Sequence, residues 1–477
     1  MAITSYLITL FLLSLSLSSH SCLATCHVDD ETGLLVFKLG IKSDPSGILS
    51  SWKRGTDCCT WNGVDCDATN KRVSSLSIYG QANDPNKYLS GTISTSLGKL
   101  VYLWGVYFLN TRNISGPFPK FLFSLPELRY VYIENNKLSG PLPINIGKLS
   151  GLQALSLEGN RFTGVIPSSI LQLAQLTQLK LGKNLLSGPI PTGIGRLKNV
   201  TFLSLEHNQL SGKIPDVFSS FSDLMYLELS YNKLSGAIPL SISTLAPTLA
   251  FLKLGHNALT GNIPSYLGNF TKLDTLDLSS NFLTGIVPKT FKNLTKIFNL
   301  NLARNNFVDP FPEMFVRGIE SLDLSYNNFN LIKIPKWVAT SPIIYSLKLA
   351  GCGIKMRLDE FKPTKTYYYD YIDLSDNKIS GSPITLLNRT DFLVGFWMSG
   401  NMLRFNMSSL IIPKMSQQLD LSRNLIIGNV PVSVVGLKKL NVSHNHLCGR
   451  LPVTKFPVEA FAWNDCLCGA PLIPCKF

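Results

Sequence analysis

The most regular feature of the sequence is an alternation of apolar and polar positions that ends at an asparagine and a turn. Between residues 152 and 167, Leu155 and Leu157 alternate with Ser156 before Asn160. Alternation is the period of a β-strand, so the two leucines point inward and the residue between them faces outward. Glycine and proline follow and fix the turn.

The asparagine recurs at an almost fixed interval. Steps of 24 or 25 residues separate Asn136, Asn160, Asn184, Asn208, Asn232, Asn257, Asn281 and Asn305. An inward amide at this position can satisfy backbone groups that the turn would leave buried. No single repeat can bury its apolar edge alone, so neighbouring repeats must stack into one core. The period predicts an α/β solenoid of the leucine-rich-repeat class.

The same template predicts about sixteen repeats, whose strands form a concave parallel sheet in one elongated domain. The expected strand centres are Leu76, Val106, Val131, Leu155, Leu179, Leu203, Leu227, Leu252, Leu276, Leu300, Leu322, Leu347, Ile372, Phe396, Leu419 and Leu440. We therefore expect an N-terminal cap at residues 25–72, the solenoid at 73–447 and a C-terminal cap at 448–477.

The N-terminus has the pattern of a secretory signal peptide at residues 1–24. An apolar stretch at residues 3–17 precedes Cys22-Leu23-Ala24, although no Lys or Arg comes before it. An N-terminal membrane anchor is the weaker alternative, because the stretch is short for a bilayer span. No second apolar stretch of that length follows. We predict a soluble, secreted protein of the extracellular space or cell wall.

Cysteines cluster before the first repeat and after the last. A solenoid exposes its core at both ends, so disulfide-stapled caps are expected in an oxidising compartment. Zinc is the weaker interpretation, because paired CxxC knuckles are missing. Four cysteines allow three pairings, so spacing alone leaves the connectivity open. The clustered cysteines are Cys26, Cys58, Cys59, Cys66, Cys448, Cys466, Cys468 and Cys475.

The remaining chemically active side chains do not form a catalytic pattern. Cys352 falls on the inward asparagine position, which predicts a buried thiol rather than a nucleophile. His207 and His256 lie two repeats apart, too far to share a metal ion without intervening ligands. The aspartates that recur in LDLS are interpreted as a solvated polar row. We predict no enzyme activity, no metal and no cofactor.

Two further motifs suggest a family. The turn segment reads LSGPLP at residues 138–143 and LSGxIP at residues 210–215 and 234–239, and the N-terminal segment 58–66 reads CCxWxGVxC. The chain resembles plant extracellular leucine-rich-repeat proteins. This group includes polygalacturonase-inhibiting proteins, DNA-damage-repair/toleration-like secreted proteins and receptor-like ectodomains. Similarity to the inhibitors implies sequential disulfides that pair Cys26 with Cys58, Cys59 with Cys66, Cys448 with Cys466, and Cys468 with Cys475.

The resemblance is specific for the fold and much less so for the partner. Turns between residues 305 and 413 depart from LSGxIP, as in the segments 307–312 and 379–383. The target-contacting residues of the inhibitors therefore cannot be carried over position by position. Receptor-like relatives continue into a membrane span, which this sequence does not show, so signalling would need a separate partner.

Outward positions on successive strands give a candidate partner-binding surface on the concave face. Aromatic side chains there offer a large contact area at little entropic cost. The alternative is that aromatics are simply favoured on strands. The candidate residues are Tyr107, Tyr130, Tyr132, Glu134, Lys180, Phe202, Glu206, His207, Tyr226, Glu228 and Phe251.

Charge and sequons add softer expectations. The chain has 44 Lys and Arg against 30 Asp and Glu, a net charge of +14, which favours association with pectic polyanions. Nucleic-acid binding is remote, since no such motif is present. Sequons suit a secreted glycoprotein, and that at Asn441 maps to the concave face of the last strand. They are Asn113, Asn199, Asn269, Asn293, Asn388, Asn406 and Asn441.

Two function classes remain open. The first is a defence protein of the plant apoplast that inhibits a secreted pathogen enzyme such as a polygalacturonase. The second is a soluble co-receptor or peptide-binding module that acts with a receptor ectodomain. A purely structural wall protein is less favoured.

Overall fold

The computed structural model describes residues 26–475, apart from residues 82, 85, 317 and 365–367. The predicted signal peptide lies outside these residues. Contacts within the chain divide it into two compact units, one up to Thr163 and one from Gly164 onward. Each unit is described by itself.

Each unit contains a main sheet built from the predicted strands. In the first unit its strands are Val64–Cys66, Val73–Tyr79, Gly105–Leu109, Tyr130–Glu134 and Ala154–Ser156. In the second unit they are Gln178–Lys180, Phe202–Ser204, Tyr226–Glu228, Phe251–Lys253, Thr275–Asp277, Asn299–Asn301, Ile319–Asp323, Ile344–Lys348, Tyr371–Asp373, Gly395–Trp397, Gln418–Asp420 and Lys439–Asn441. The described pairings of these strands are parallel except that of Val64–Cys66 with Val73–Tyr79. All sixteen expected strand centres lie in these strands, which confirms the leucine-rich-repeat fold.

Each unit also has strands of a second sheet, which begin in the N-terminal cap and then follow the repeat turns up to Val308. Its strands are Ile41–Ser43, Leu89–Thr92, Arg112–Gly116, Lys137–Pro141 and Arg161–Gly164 in or at the end of the first unit. In the second unit they are Leu185–Pro189, Gln209–Lys213, Lys233–Gly236, Ala258–Asn262, Phe282–Ile286 and Asn306–Val308. Shorter sheets pair Ser380–Gly381 with Met402–Leu403, and Ile427–Gly428 with His446–Arg450 and Cys466–Cys468.

Helices are short apart from one in the N-terminal cap. The α-helices are Val28–Leu39, Lys336–Thr340 and Ile384–Leu387. The 3-10 helices are Cys58–Thr60, Thr95–Lys99, Lys120–Ser124, Ile146–Lys148, Ser168–Gln172, Ile194–Arg196, Phe218–Ser220, Leu240–Leu245, Ser265–Asn269, Lys289–Asn293, Leu358–Glu360, Met407–Ser409, Val432–Gly436 and Val458–Ala460. They return the chain from the turn to the next strand.

The repeated asparagine holds each turn, as predicted. The Asn281 amide donates to the carbonyls of Leu254 and Leu278 at 3.0 and 3.1 Å, and its oxygen accepts from Leu259 N–H at 2.9 Å. Cys352 occupies the same position, fully buried, with its sulfur 3.4 Å from the Leu324 carbonyl oxygen. Burial raises the pKa of this thiol, which confirms the prediction of a buried structural thiol.

The second sheet is interrupted where the turn sequence changes. Gly261 and Gly285 are the next-to-last residues of their strands and have φ of 84° and 79°, a conformation that glycine adopts at little cost. Asp309 replaces this glycine after Asn306–Val308, and pairing stops there. A short strand returns at Ser380–Gly381, where glycine returns.

Both ends of the repeat array are closed by disulfides. The bonds join Cys26 to Cys58, Cys59 to Cys66, Cys448 to Cys466, and Cys468 to Cys475. In the N-terminal cap, the buried Asp30 accepts from the Arg72 guanidinium at 2.8 and 2.9 Å and from the Val73 N–H at 2.8 Å. Trp52 and Trp61 stack 5.6 Å apart. Disulfide-stapled caps, as expected for this fold class, are therefore present.

Candidate recognition surface

Three aromatic side chains lie side by side on the outward side of the main sheet in the second unit. Phe202, Tyr226 and Phe251 are paired in register on neighbouring strands. The rings of Phe202 and Tyr226 are 4.1 Å apart and within 6° of parallel, and those of Tyr226 and Phe251 are 5.3 Å apart. All three are half-buried. We call these three residues the aromatic ladder.

Two lysines flank the aromatic ladder. The Lys180 ammonium lies 5.0 Å from the centre of the Phe202 ring, and the Lys253 ammonium lies 5.5 Å from that of Tyr226. Both distances are in the range of cation–π attraction. Because neighbouring rings and lysines lie against the faces of Phe202 and Tyr226, these two rings offer mainly their edges to a partner.

Glu228 is buried beneath this group. Its side chain is paired with Lys253 at 3.3 Å, accepts from the Tyr226 hydroxyl at 3.3 Å and from the Ser230 N–H at 3.2 Å, and the residue is only 2% exposed. Burial raises the pKa of Glu228, while the hydrogen bond from Ser230 and the charge of Lys253 lower it in part. Burial also raises the pKa of Tyr226. Glu228 therefore anchors the ladder from below and offers little surface to a ligand.

A second row of stacked rings lies beside the aromatic ladder. Tyr231 lies between His207 and His256, with ring centres 4.0 Å from each and planes within 10°. Each of the three residues directly precedes the repeated asparagine of its turn and has a positive φ, from 48° to 57°. Bulky side chains seldom adopt this conformation. Glu206, next in the chain to His207, is paired with Lys183 at 3.2 Å.

In the first unit, the candidate tyrosines also face outward. Tyr107 and Tyr132 stack 5.4 Å apart, and burial raises the pKa of Tyr107 to about 12. The Tyr130 hydroxyl donates to Gln153 at 2.6 Å, and Glu134 accepts from the Ser156 hydroxyl at 2.6 Å. Every candidate residue therefore lies at an outward or strand-end position, in two groups that belong to different units.

Comparison with known proteins agrees with this architecture. The family model of the leucine rich repeat N-terminal domain matches residues 27–67. Leucine rich repeat models match residues 150–210 and 247–307, and residues 127–149 and 223–245. The chain is a leucine-rich-repeat protein.

Three proteins similar to this leucine-rich-repeat protein come from plants. Polygalacturonase inhibitor 1 of Arabidopsis thaliana is 40% identical over 114 residues, which cover 23% of this chain and 34% of the relative. DNA damage-repair/toleration protein DRT100 of the same species is 34% identical over 125 residues, covering 24% and 34%. The receptor-like protein EIX2 of Solanum lycopersicum is 29% identical over 116 residues, covering 23% and 11%. The chain thus spans about a third of the length of the inhibitors it matches, and the resemblance inferred from the motifs is confirmed.

Solved structures of the same fold cover most of the leucine-rich-repeat protein. The PEPR1–AtPEP1 crystal structure has a TM-score of 0.60 and 26% identity, and covers 92% of this chain and 68% of that one. The TDR receptor structure has a TM-score of 0.60 and 27% identity, covering 81% and 76%.

Several residues of the surface were missed from the sequence. Lys253 occupies the same repeat position as Glu228, and Tyr231 the same position as His207 and His256. The repeat spacing could have identified both. Trp397 was missed as well: its ring lies over Gly395, where a Cβ would come within 2.2 Å of the indole, and stacks on Tyr371 at 6.1 Å.

The recurring aspartates are less solvated than expected. One oxygen of each accepts from the N–H two residues on, as in Asp277 to Ser279 at 2.9 Å and Asp323 to Ser325 at 3.0 Å. Burial raises the pKa of Asp323. The aspartates therefore brace the strand ends, which corrects the interpretation as a simple solvated row.

Other features of the leucine-rich-repeat protein bear on ligands and membranes. Among the described residues, no three His, Cys, Asp or Glu side chains are grouped closely enough to hold a metal ion. No helix in the described part of the chain is both long and apolar enough to cross a bilayer. Asn441 is half-buried, and its side-chain oxygen accepts from the Ser443 N–H at 3.2 Å. Of the other six predicted sequon asparagines, one is half-buried, Asn113. The remaining five are exposed: Asn199, Asn269, Asn293, Asn388 and Asn406.

Proposed function

We propose that this chain is a secreted, non-enzymatic recognition protein of the plant cell wall and apoplast that acts in defence. It binds a protein partner through the aromatic ladder and the side chains around it on the main sheet. The observation that carries the proposal is the stacking of Phe202, Tyr226 and Phe251, with Lys180 over the Phe202 ring and Lys253 over the Tyr226 ring.

The ladder has the physical properties of a protein-binding hot spot. Each ring is already held by its neighbours, so binding costs little side-chain entropy. The three rings are half-exposed, and Tyr226 also carries a polar hydroxyl. Aromatic residues are enriched among the side chains that contribute most to binding energy. The Lys180 ammonium adds attraction to carboxylates or carbonyls on the partner, whereas Lys253 is already paired with Glu228.

An inhibitor of a secreted polygalacturonase is the partner role we favour. Relatives that carry the name polygalacturonase inhibitor match at 40% identity, although only over 114 residues. The overall net charge of +14 would retain the protein on pectin, near the enzyme's substrate.

A soluble co-receptor or peptide-binding module is the second candidate. Its support is the similarity to the PEPR1–AtPEP1 structure, with a TM-score of 0.60. In that role the ladder would contact a peptide or a receptor ectodomain instead of an enzyme.

The deciding experiment titrates the purified mature protein into several fungal polygalacturonases and measures reducing-sugar release from polygalacturonate. We expect saturable loss of activity near a stoichiometric ratio. A protein with Phe202→Ala and Tyr226→Ala should inhibit much less. Phe282→Ala is the matched control, because Phe282 is an exposed aromatic of the second sheet in the same unit. No inhibition across the panel would reject the inhibitor role.

A further inference from the structure

A mixed aromatic and polar pocket lies in the first unit, where the main-sheet strands begin. Its volume is about 330 Å³, at the low end of the range of about 300–1,000 Å³ typical of small-molecule sites. Tyr102, Trp104 and Tyr130 supply its aromatic lining. Trp104 directly precedes the strand Gly105–Leu109 and is fixed by a backbone hydrogen bond to Ser74 at 2.9 Å.

The indole of Trp104 differs from the rings of the aromatic ladder. It is 40% exposed, and its ring contact in the described part of the chain is edge-to-face, with Tyr130 at 5.7 Å and 83°. The described residues place no ring parallel to it. Tyr102 is 44% exposed and has the Arg72 guanidinium 4.7 Å from its ring centre. The pocket therefore presents aromatic surface that no neighbouring ring stacks against.

Planar polar groups surround these rings. Within the described residues, the side chains of Glu127 and Arg129 make no hydrogen bond or ion pair. Asn70 uses its oxygen to accept from the Arg72 N–H at 2.9 Å, which leaves its two amide hydrogens for a ligand. One oxygen of Asp67 accepts from Thr69 and Asn70 N–H groups at 2.9 and 3.1 Å, and the other oxygen is available. The rim thus offers both donors and acceptors.

From this arrangement we propose that the pocket binds a neutral oligosaccharide, with one sugar ring packed on Trp104. A pyranose ring has an apolar C–H face and a rim of hydroxyls that both donate and accept. The exposed aromatic surface of the pocket can pack against the C–H face of the sugar. The planar carboxylate, amide and guanidinium groups can bond to the sugar hydroxyls. Its volume suits one or two rings.

The charge of the pocket selects against an acidic sugar. Asp67 and Glu127 outnumber Arg129, because the nearby Arg72 is already held by Asp30 at 2.8 Å. A uronate would bring a further negative charge beside two carboxylates. This site is separate in position and chemistry from the aromatic ladder, so it does not rest on the proposed function.

The test is calorimetric titration of the intact protein with cellotetraose, xylotetraose, mannotetraose and tetragalacturonate. We expect saturable binding of at least one neutral oligosaccharide and none of tetragalacturonate at this pocket. Trp104→Ala should weaken binding at least tenfold, while Trp104→Phe should retain most of it. Trp463→Ala is the matched control, because Trp463 is 77% exposed and lies in the other unit.

Two measurements keep the outcome decisive. Circular dichroism establishes that each variant is folded, and the double variant Glu127→Gln, Arg129→Gln replaces Trp104→Ala if that protein is unstable. No binding of any neutral oligosaccharide, unchanged affinity in the pocket variants, or binding of tetragalacturonate that Trp104→Ala abolishes would each overturn the proposal. Partner binding through the ladder should persist in Trp104→Ala, so the two proposals fail independently.

Discussion

The ring of Phe202 lies flat against the ring of Tyr226, with centres 4.1 Å apart and planes 6° from parallel. The two residues lie directly opposite each other on neighbouring parallel strands. Leucines at the next position of both strands fix the register by pointing into the core. The ladder is therefore a rigid feature of the sheet before any partner arrives.

Removing either ring should weaken partner binding strongly. We expect Phe202→Ala and Tyr226→Ala each to cost about 2 kcal/mol or more, roughly 30-fold in affinity, as for other aromatic hot spots. Surface plasmon resonance with the identified partner measures this loss. Phe282→Ala should change affinity less than about twofold, since Phe282 is on the second sheet. Equal losses at Phe282 and Tyr226 would show that the ladder is not the contact.

The main sheet could be predicted in detail because every repeat has the same pattern of inward and outward residues. With an inward leucine and an inward asparagine in every repeat, neighbouring strands can pair in only one register. Leu203, Leu227 and Leu252 are aligned on neighbouring strands as the period requires. Cys352 could be placed for the same reason, since its sulfur reaches the carbonyl that an asparagine would. Periodicity fixes which side of the sheet a residue faces.

Contacts between outward side chains were harder to predict. They depend on rotamers and on the residue one repeat away, as with Lys253 reaching Glu228 and Tyr226. The pocket at Trp104 joins the start of a main-sheet strand to Asp67 and Asn70 of the N-terminal cap. These two cap residues have no equivalent position in the repeats. No spacing rule in the sequence brings those residues together.

The repeated asparagine of each turn should be important for stability. Asn281→Ala would leave the Leu254 and Leu278 carbonyls and the Leu259 N–H without the partner they now have. Unsatisfied buried groups cost about 1–3 kcal/mol each, so we expect a loss of about 2–4 kcal/mol in the free energy of unfolding. Urea denaturation followed by circular dichroism measures it. Asn306→Ala, at an exposed strand position, should stay within about 0.5 kcal/mol of the wild type.

The backbone conformation at Tyr231 predicts that a glycine variant is more stable than an alanine variant. Its φ is 57°, which L-residues adopt at a cost and glycine adopts freely. Both Tyr231→Ala and Tyr231→Gly lose the stack with His207 and His256, so their difference isolates the backbone. We expect the glycine variant to be more stable by about 0.5–1 kcal/mol in denaturant titrations.

The matched comparison is the same pair at Phe282. That residue is an exposed strand position and is absent from the residues with positive φ. There the alanine variant should be the more stable one, because glycine loses more conformational freedom on folding. If alanine is also favoured at residue 231, the left-handed backbone is not what limits stability there.

Retention on pectin should depend on salt. The excess of 44 Lys and Arg over 30 Asp and Glu gives diffuse attraction to polyanions. Screening lengths fall from about 10 Å at 0.1 M to about 3 Å at 1 M salt, so added NaCl should elute the protein from immobilised de-esterified pectin. Fully methyl-esterified pectin is the control, and should retain little. Elution independent of ionic strength would exclude charge as the cause.

The pH dependence of stability should carry the signature of Glu228. Its pKa is raised by burial, so the folded protein binds a proton there more tightly than the unfolded chain does. The contribution of Glu228 to stability therefore becomes less favourable as pH rises from about 4.5 through the raised value, and more favourable as pH falls back through it. Glu228→Gln keeps an acceptor for Ser230 and cannot ionise. Urea denaturation at about pH 7 and pH 5 gives the free energy of unfolding of the wild type and of the variant. We expect the wild type to gain stability relative to the variant at pH 5. If the difference between the two proteins is the same at both pH values, Glu228 titrates alike in the folded and unfolded states.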